Sequence, residues 1–325
     1  MEAVEKEKNM MQIKPQLAED ADLASLRFPC WEQPKIDGVR GLHLNGQFTG
    51  RSLDPFAGFG ITEYFSHKDF AGFDGEMTLG DKPNSAARLC SLTTGAMGKF
   101  KGVTEMPDLH WWVFDYVTES TITWAYADRY FMASQRIQML QHPRLHLVPF
   151  EVVSNLEQMK AAIAKHLKMN YEGTITRNPK ETYKPGRSDQ RQQLLRIKLW
   201  VDFEMLVTGL TEGAANTNEA KTNSLGRTER SSAKAGKVPN GQVGSIQGTL
   251  LQDVVHPITK ETVFKKGLPV TMGSGEMTVA EATHYFQHPE QIVGHIAKGK
   301  CMLHGSKDVP RFPTFISLRL PQDLS

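Results

Sequence analysis

What most limits the fold of this chain is its supply of short apolar runs, each broken by glycine or a polar turn, with few stretches of helical spacing among them. The runs at 41–44, 47–49, 73–79 and 110–117 have strand length, and 173–177 and 192–199 add two more. Another leads up to Lys35. Residues 126–141 and 156–169 carry helical spacing and good helix formers. Strands and helices do not alternate regularly, as a doubly wound parallel sheet requires. The pattern predicts an α+β fold.

Beyond Trp200 the character changes. Strands are expected at 203–210, 244–251, 262–265, 268–271, 294–303 and 314–318, with one helix at 279–288. About five strands with one short helix fit a small C-terminal β-barrel of the oligonucleotide/oligosaccharide-binding (OB) kind. The boundary is expected near residue 201, giving domains 13–201 and 202–325. Within the second, a polar stretch rich in Gly, Asn, Ser and basic residues forms an insertion around 213–240. Residues 1–12, charged and Met-rich, are expected to be a disordered extension. A chain of 325 residues has material for two cores.

Composition narrows the class. With 39% hydrophobic and 23% charged residues the chain reads as soluble and globular. No window offers a membrane span, and the charged N-terminus lacks the apolar centre of a secretory signal. Cys30, Cys90 and Cys301 are odd in number and far apart, which implies neither a metal-spaced pair nor a disulfide framework and suits a reducing cytoplasm. The net charge of +2 does not announce a nucleic-acid binder, but its distribution is uneven. Lys221, Arg227, Arg230, Lys234 and Lys237 face the single acid Glu229 in one stretch, enough to neutralise phosphates locally.

The chemistry centres on Lys35-Ile36-Asp37-Gly38-Val39-Arg40. A lysine beside an Asp-Gly turn, with an arginine five residues on, is a candidate nucleophile for a nucleotide phosphate. Gly50-Arg51-Ser52, Phe73-Asp74-Gly75-Glu76, Trp112-Val113-Phe114-Asp115, Glu172-Gly173-Thr174-Ile175-Thr176-Arg177 and Leu194-Leu195-Arg196-Ile197-Lys198 follow in order. Each is weak alone.

Together they resemble the ordered motifs of the covalent nucleotidyltransferases, specifically the small ATP-dependent DNA ligases of bacteriophages and large DNA viruses. The resemblance runs from Lys14 to the C-terminal Arg311-Phe312-Pro313-Thr314-Phe315-Ile316-Ser317-Leu318-Arg319. It implies a nucleotidyltransferase domain followed by an OB barrel, and nick sealing through a lysyl-AMP and a DNA-adenylate. Lys35 becomes the AMP-linked residue. Arg40 touches the ribose or the nick, and Glu76 accepts hydrogen bonds from the ribose hydroxyls. Phe114 lies against adenine, with Trp112 and Tyr116, on the same face of a strand, as competing contacts.

Gln33 stands where relatives contact adenine, often with Glu. Glu172, assisted by Asp37, is the metal-associated carboxylate for magnesium or manganese. Arg196, a Lys in most relatives, and Lys198 hold phosphate oxygens. Those two cations and a metal are expected to surround Lys35 with positive charge. Arg51 grips the 5′-phosphate of the nick. The stretch Lys221–Lys237 resembles an insertion that folds in minimal viral ligases as a hairpin latch around duplex DNA. Arg319 orients the pyrophosphate, although the usual Arg-x-Asp-Lys continuation is missing. The implied cofactors are ATP and a divalent metal, and the partner is nicked duplex DNA. The implied state is a monomer free of membranes in the cytoplasm of a bacterium or phage-infected host. RNA ligase, mRNA-capping-type nucleotidyltransferase and a decayed, non-catalytic OB-type nucleic-acid-binding protein are the alternatives.

Overall fold

Aromatic and β-branched residues set the strands of the first part of the chain. The strands of its two larger sheets are β1 (Glu19–Asp20), β2 (Cys30–Lys35), β3 (Val39–His43), β4 (Phe48–Thr49), β5 (Phe73–Leu79), β6 (Leu109–Tyr116), β7 (Leu145–Leu147), β8 (Glu151–Val153), β9 (Gly173–Arg177) and β10 (Leu195–Lys198). The helices are α1 (Phe59–Phe65), α2 (Leu89–Lys99), α3 (Tyr126–Leu140) and α4 (Leu156–Lys168). This computed structural model describes residues 12–85, 88–103, 105–189, 191–257, 260–304 and 308–319. The expected disordered extension, 1–12, lies outside them except for its last residue.

Two compact units result: one ends at Ile197 and takes in Asn223–Leu225, and the other comprises Lys198–Thr222 and the chain from Gly226. The first unit holds two five-stranded sheets, in the orders β1-β10-β9-β2-β8 and β4-β3-β5-β6-β7. Period two decides which side chains reach the site. In β6, Leu109, Trp111 and Val113 are fully buried in a core with Phe48, Ile61, Phe65, Phe73 and Met77. Trp112 and Phe114 stay partly open on the other face, whereas Tyr116, beyond a bulge, returns to the core side opposite Phe73, which corrects the expectation that the three share a face.

In β2, Cys30 packs with Val153, Met159, Leu195 and Ile197 on the side of α4, which leaves Trp31, Gln33 and Lys35 on the opposite face. The α4 helix starts where the Asn155 side chain accepts the Gln158 N–H, and its last turn carries Lys165, His166 and Lys168 at the negative dipole end.

The second unit is a closed barrel of β11 (Trp200–Asn216), β14 (Lys237–Leu250), β15 (Pro269–Gly273), β17 (Arg311–Leu318) and β16 (Ile296–Met302), in that order. Alternate residues Phe203, Met205 and Val207 fill its core beside Ile246, Met272 and Phe315. Helix α5 (Val279–Gln287) precedes β16 and opens with a capping box, Thr278 with Glu281.

The polar stretch 211–241, in which composition marked no strands and the resemblance implied a hairpin, carries paired strands. Strands β11 and β14 run on into it, pairing as far as Asn216 opposite Lys237, and β12 (Ala220–Thr222) pairs with β13 (Thr228–Arg230). Its Ala-, Asn- and Gly-rich residues lack strand propensity, so backbone pairing continues the ladder here with little side-chain burial. Helices α1 and α2 were not legible either. Five glycines lie at 58, 60, 95, 98 and 102, within or beside them, and blur the apolar period.

Candidate active site

Strand register brings the central pair together. Gly173 of β9 lies opposite Lys35 of β2, and the Glu172 N–H donates to the Lys35 carbonyl at 3.0 Å. The Glu172 carboxylate, almost buried, therefore accepts from Lys35 Nζ, which keeps 20% of its side chain exposed. The Asp37-Gly38 turn then runs against β5. A Cβ on Gly38 would stand 2.2 Å from the Met77 carbonyl oxygen and 2.8 Å from Glu76 Cγ, so only glycine allows this approach.

Asp37 is buried beside it. Burial pushes the Glu76 carboxyl up to about 7; Lys35 and Arg40 pull it down, while Glu172 and Asp37 push it further up. Lys35, Asp37, Glu76 and Glu172 thus share one electrostatic neighbourhood.

Beside the positive charge expected around Lys35, the structure sets an acid: its direct partner is Glu172. Arg196 and Lys198 do share its face of the sheet, because the alternate residues Leu195 and Ile197 pack on the α4 side. Arg196, however, forks onto Asp20 at 2.6 and 3.0 Å, and that bond raises the guanidinium's pKa.

A buried polar network supports the floor. Arg40 forks onto Asp74 at 2.6 Å through Nε and Nη2, and lies 4.9 Å from the centroid of the Phe114 ring. Asp115 takes Arg129 at 2.8 and 3.1 Å and Arg177 at 3.3 Å. Burial works to raise the Asp115 pKa, but the two guanidiniums overcome it and hold the carboxyl below its usual range. Leaving either partner of such a pair alone costs about 3–5 kcal/mol.

Phe114 is the extra residue where Asp74 pairs with Asp115 but Gly75 pairs with Val113, a bulge that re-aims its ring. The Gln33 amide is occupied. Its Oε1 accepts from Tyr126 at 3.0 Å, and its Nε2 donates to the Val148 carbonyl at 3.3 Å. Tyr126 also donates to the Phe114 carbonyl, tying the two sheets together.

Sequence reasoning quoted Asp74, Asp115 and Arg177 without roles and missed Tyr126 and Arg129. The available signal was an acid inside each of two apolar strands, which a core tolerates only with a cation. Of the competing aromatics, Tyr116 packs on Phe73 and Trp112 on His146.

The other sequence candidates lie elsewhere. Arg51 is exposed in the turn after β4. In the second unit, Arg319 follows β17 and pairs with Glu204 of β11 at 2.5–2.6 Å. The missing continuation, 320–323, is outside the described residues. Lys221, Arg227, Arg230, Lys234 and Lys237 are all exposed along the paired arm. Among the described residues no helix is long and apolar enough to cross a membrane.

Known proteins share this architecture. A solved Lig E DNA ligase, described as binding DNA with a minimal scaffold, is similar with a TM-score of 0.64 and 17% identity over 95% of this chain and all of that one. The structure named Pmar-Lig_Pre. gives 0.63 and 16% over 98% of this chain and 70% of that one. The Chlorella virus DNA ligase-adenylate gives 0.49 and 23% over 95% and 98%. No curated protein matches the chain. The first two likenesses establish the fold, the mixed α+β architecture of these structures. The family model described as the ATP dependent DNA ligase domain matches residues 15–198, more than half of the chain, and the protein belongs to that family.

Proposed function

We propose that this ATP-dependent DNA ligase seals 5′-phosphate/3′-hydroxyl nicks in duplex DNA as a monomer, through an AMP carried on Lys35. The observation that carries the reading is the Lys35–Glu172 pair with Glu76 and Asp37 beside it. Lys35 Nζ, its proton taken by Glu172, attacks the α-phosphorus of ATP. A P–N bond forms, the P–O bond to pyrophosphate breaks, and pyrophosphate leaves. Glu76 accepts from the ribose hydroxyls, and the re-aimed Phe114 ring lies against adenine. Gln33 shapes that end of the pocket through Tyr126 rather than by a free amide.

Arg196 and Lys198 neutralise phosphate oxygens as charge builds, which requires Arg196 to exchange Asp20 for phosphate. Arg319 serves the pyrophosphate in the same step, exchanging Glu204 for it. AMP then passes to the 5′-phosphate held by Arg51. Arg40 bears on the 3′-hydroxyl side, where displacement of AMP completes the seal. The basic arm, Lys221 to Lys237, contacts DNA phosphates without reading sequence.

The residues fit a magnesium or manganese ion. Among the described residues no group of three or more His, Cys, Asp or Glu forms a protein-only cage. A hard cation here would be held by Glu172, with Asp37 beside it, and by phosphate oxygens. When bound it neutralises triphosphate charge. Mixing the protein with labelled ATP or GTP and magnesium tests the reading. AMP transfer from ATP onto Lys35, followed by sealing of nicked DNA, is expected. GMP labelling, or sealing of nicked RNA in preference to DNA, overturns it.

A further inference from the structure

One row of side chains crosses the second sheet from the site to its edge. Arg40 is in register with Glu76, Glu76 with Trp112, and Trp112 with His146, on four successive strands. Directly opposed residues share a face, so Trp112 stands beside the Glu76 carboxylate on the side that looks toward Lys35. Its sequence neighbours Trp111 and Val113 are fully buried, whereas Trp112 stays partly open.

The indole is nevertheless held. Its Nε1 donates to Thr78 Oγ1 at 2.9 Å, and its face stacks on His146 with centroids 4.4 Å apart at 25°. His146 is fixed in turn by a 2.8 Å hydrogen bond to His110, which bonds Asp108 at 3.0 Å. An ordered, half-open aromatic face next to a half-buried carboxylate is a surface for a sugar, whose C–H groups pack on the ring while its hydroxyls reach the acid.

We propose that Trp112 forms the outer wall of the ribose pocket and that His146 is a positioning residue acting through it. The proposal rests on Glu76 being the ribose acceptor. By keeping water off Glu76, the indole raises the weight of each hydroxyl–carboxylate hydrogen bond, and so the preference for a ribonucleotide over its 2′-deoxy counterpart.

The test measures binding of α,β-methylene ATP and its 2′-deoxy form to the full chain by calorimetry. These analogues do not transfer AMP, so the result is independent of whether Lys35 is the nucleophile. W112A is expected to weaken the ribo analogue about three- to tenfold, the range of a lost aromatic contact, and to narrow the ribo/deoxy ratio. W112F is expected to stay within about twofold of wild type. If W112A melts early, W112L carries the same expectation, since it keeps an apolar side chain without the ring. H146A is expected to weaken binding like W112A, and H146F, which restores the stack, to recover it. Unchanged affinity and ratio in W112A and W112L overturn the wall, and H146F binding as poorly as H146A overturns positioning by stacking.

Discussion

Lys35 and Glu172 are partners because their strands are in register: the residue after Glu172 lies opposite Lys35, and the two backbones share a 3.0 Å hydrogen bond at that point. The carboxylate's position is thus set by the sheet. Substituting Glu172 with Gln keeps the shape and removes the proton acceptor and the charge. The expected result is a loss of about 10²–10³-fold in the rate of lysyl-AMP formation with the melting temperature little changed, measured by single-turnover labelling beside a thermal melt.

Gly38 places the nucleophile's turn against β5. A methyl there meets backbone, the Met77 carbonyl oxygen, so the turn itself must move. G38A is expected to destabilise the unit by about 1–3 kcal/mol by denaturant titration and to slow adenylation beyond what the residual folded fraction explains.

Behind the nucleophile strand, Glu32 and His166 form a buried pair at 3.3 Å. Burial pushes the Glu32 carboxyl up to about 7, with Glu151 adding and Lys165 opposing. Burial also pushes His166 down to about 4, with Lys165 adding and Glu151 opposing. Folded Glu32 keeps a proton that the unfolded chain loses above about 4.5, so its contribution falls as pH rises to 7. Folded His166 lacks a proton that the unfolded chain holds below about 6.5, so its contribution rises between pH 4 and 6.5. The two slopes oppose each other in the wild type. E32Q is expected to leave a stability that climbs by up to about 3 kcal/mol from pH 4 to 6.5, and H166Q one that falls by a similar amount from 4.5 to 7. Denaturation midpoints across pH test this; parallel curves for the two variants would contradict it.

The exposed arm predicts a salt effect. If Lys221 and Lys237 each neutralise one phosphate, the K221A/K237A double variant lowers the slope of log affinity for nicked duplex against log salt by about 2. It is expected to do so equally for unrelated sequences, as read by fluorescence anisotropy. An unchanged slope would remove these residues from the interface.

The strands that build the site were legible because their apolar periods are clean: 73–79 and 173–177 form as read, and 110–117 is shifted by one residue. The order of short motifs exposed Lys35, Glu76 and Glu172. What stayed hidden depends on partners distant in sequence. The acids that claim Lys35 and Arg196, the Tyr126–Gln33 bond across 93 residues and the Arg129–Asp115 pair leave no periodic trace. The arm's pairing was implied by the resemblance alone, because its strands are held by backbone hydrogen bonds, which composition does not report.

The central claim is tested most directly by peptide mass spectrometry of the protein after exposure to ATP and magnesium. The expected result is one added AMP on the peptide carrying Lys35, absent in K35A, which also fails to seal unadenylated nicked DNA. An AMP mapped to another residue, or a K35A variant that still seals that DNA with ATP, would contradict the account.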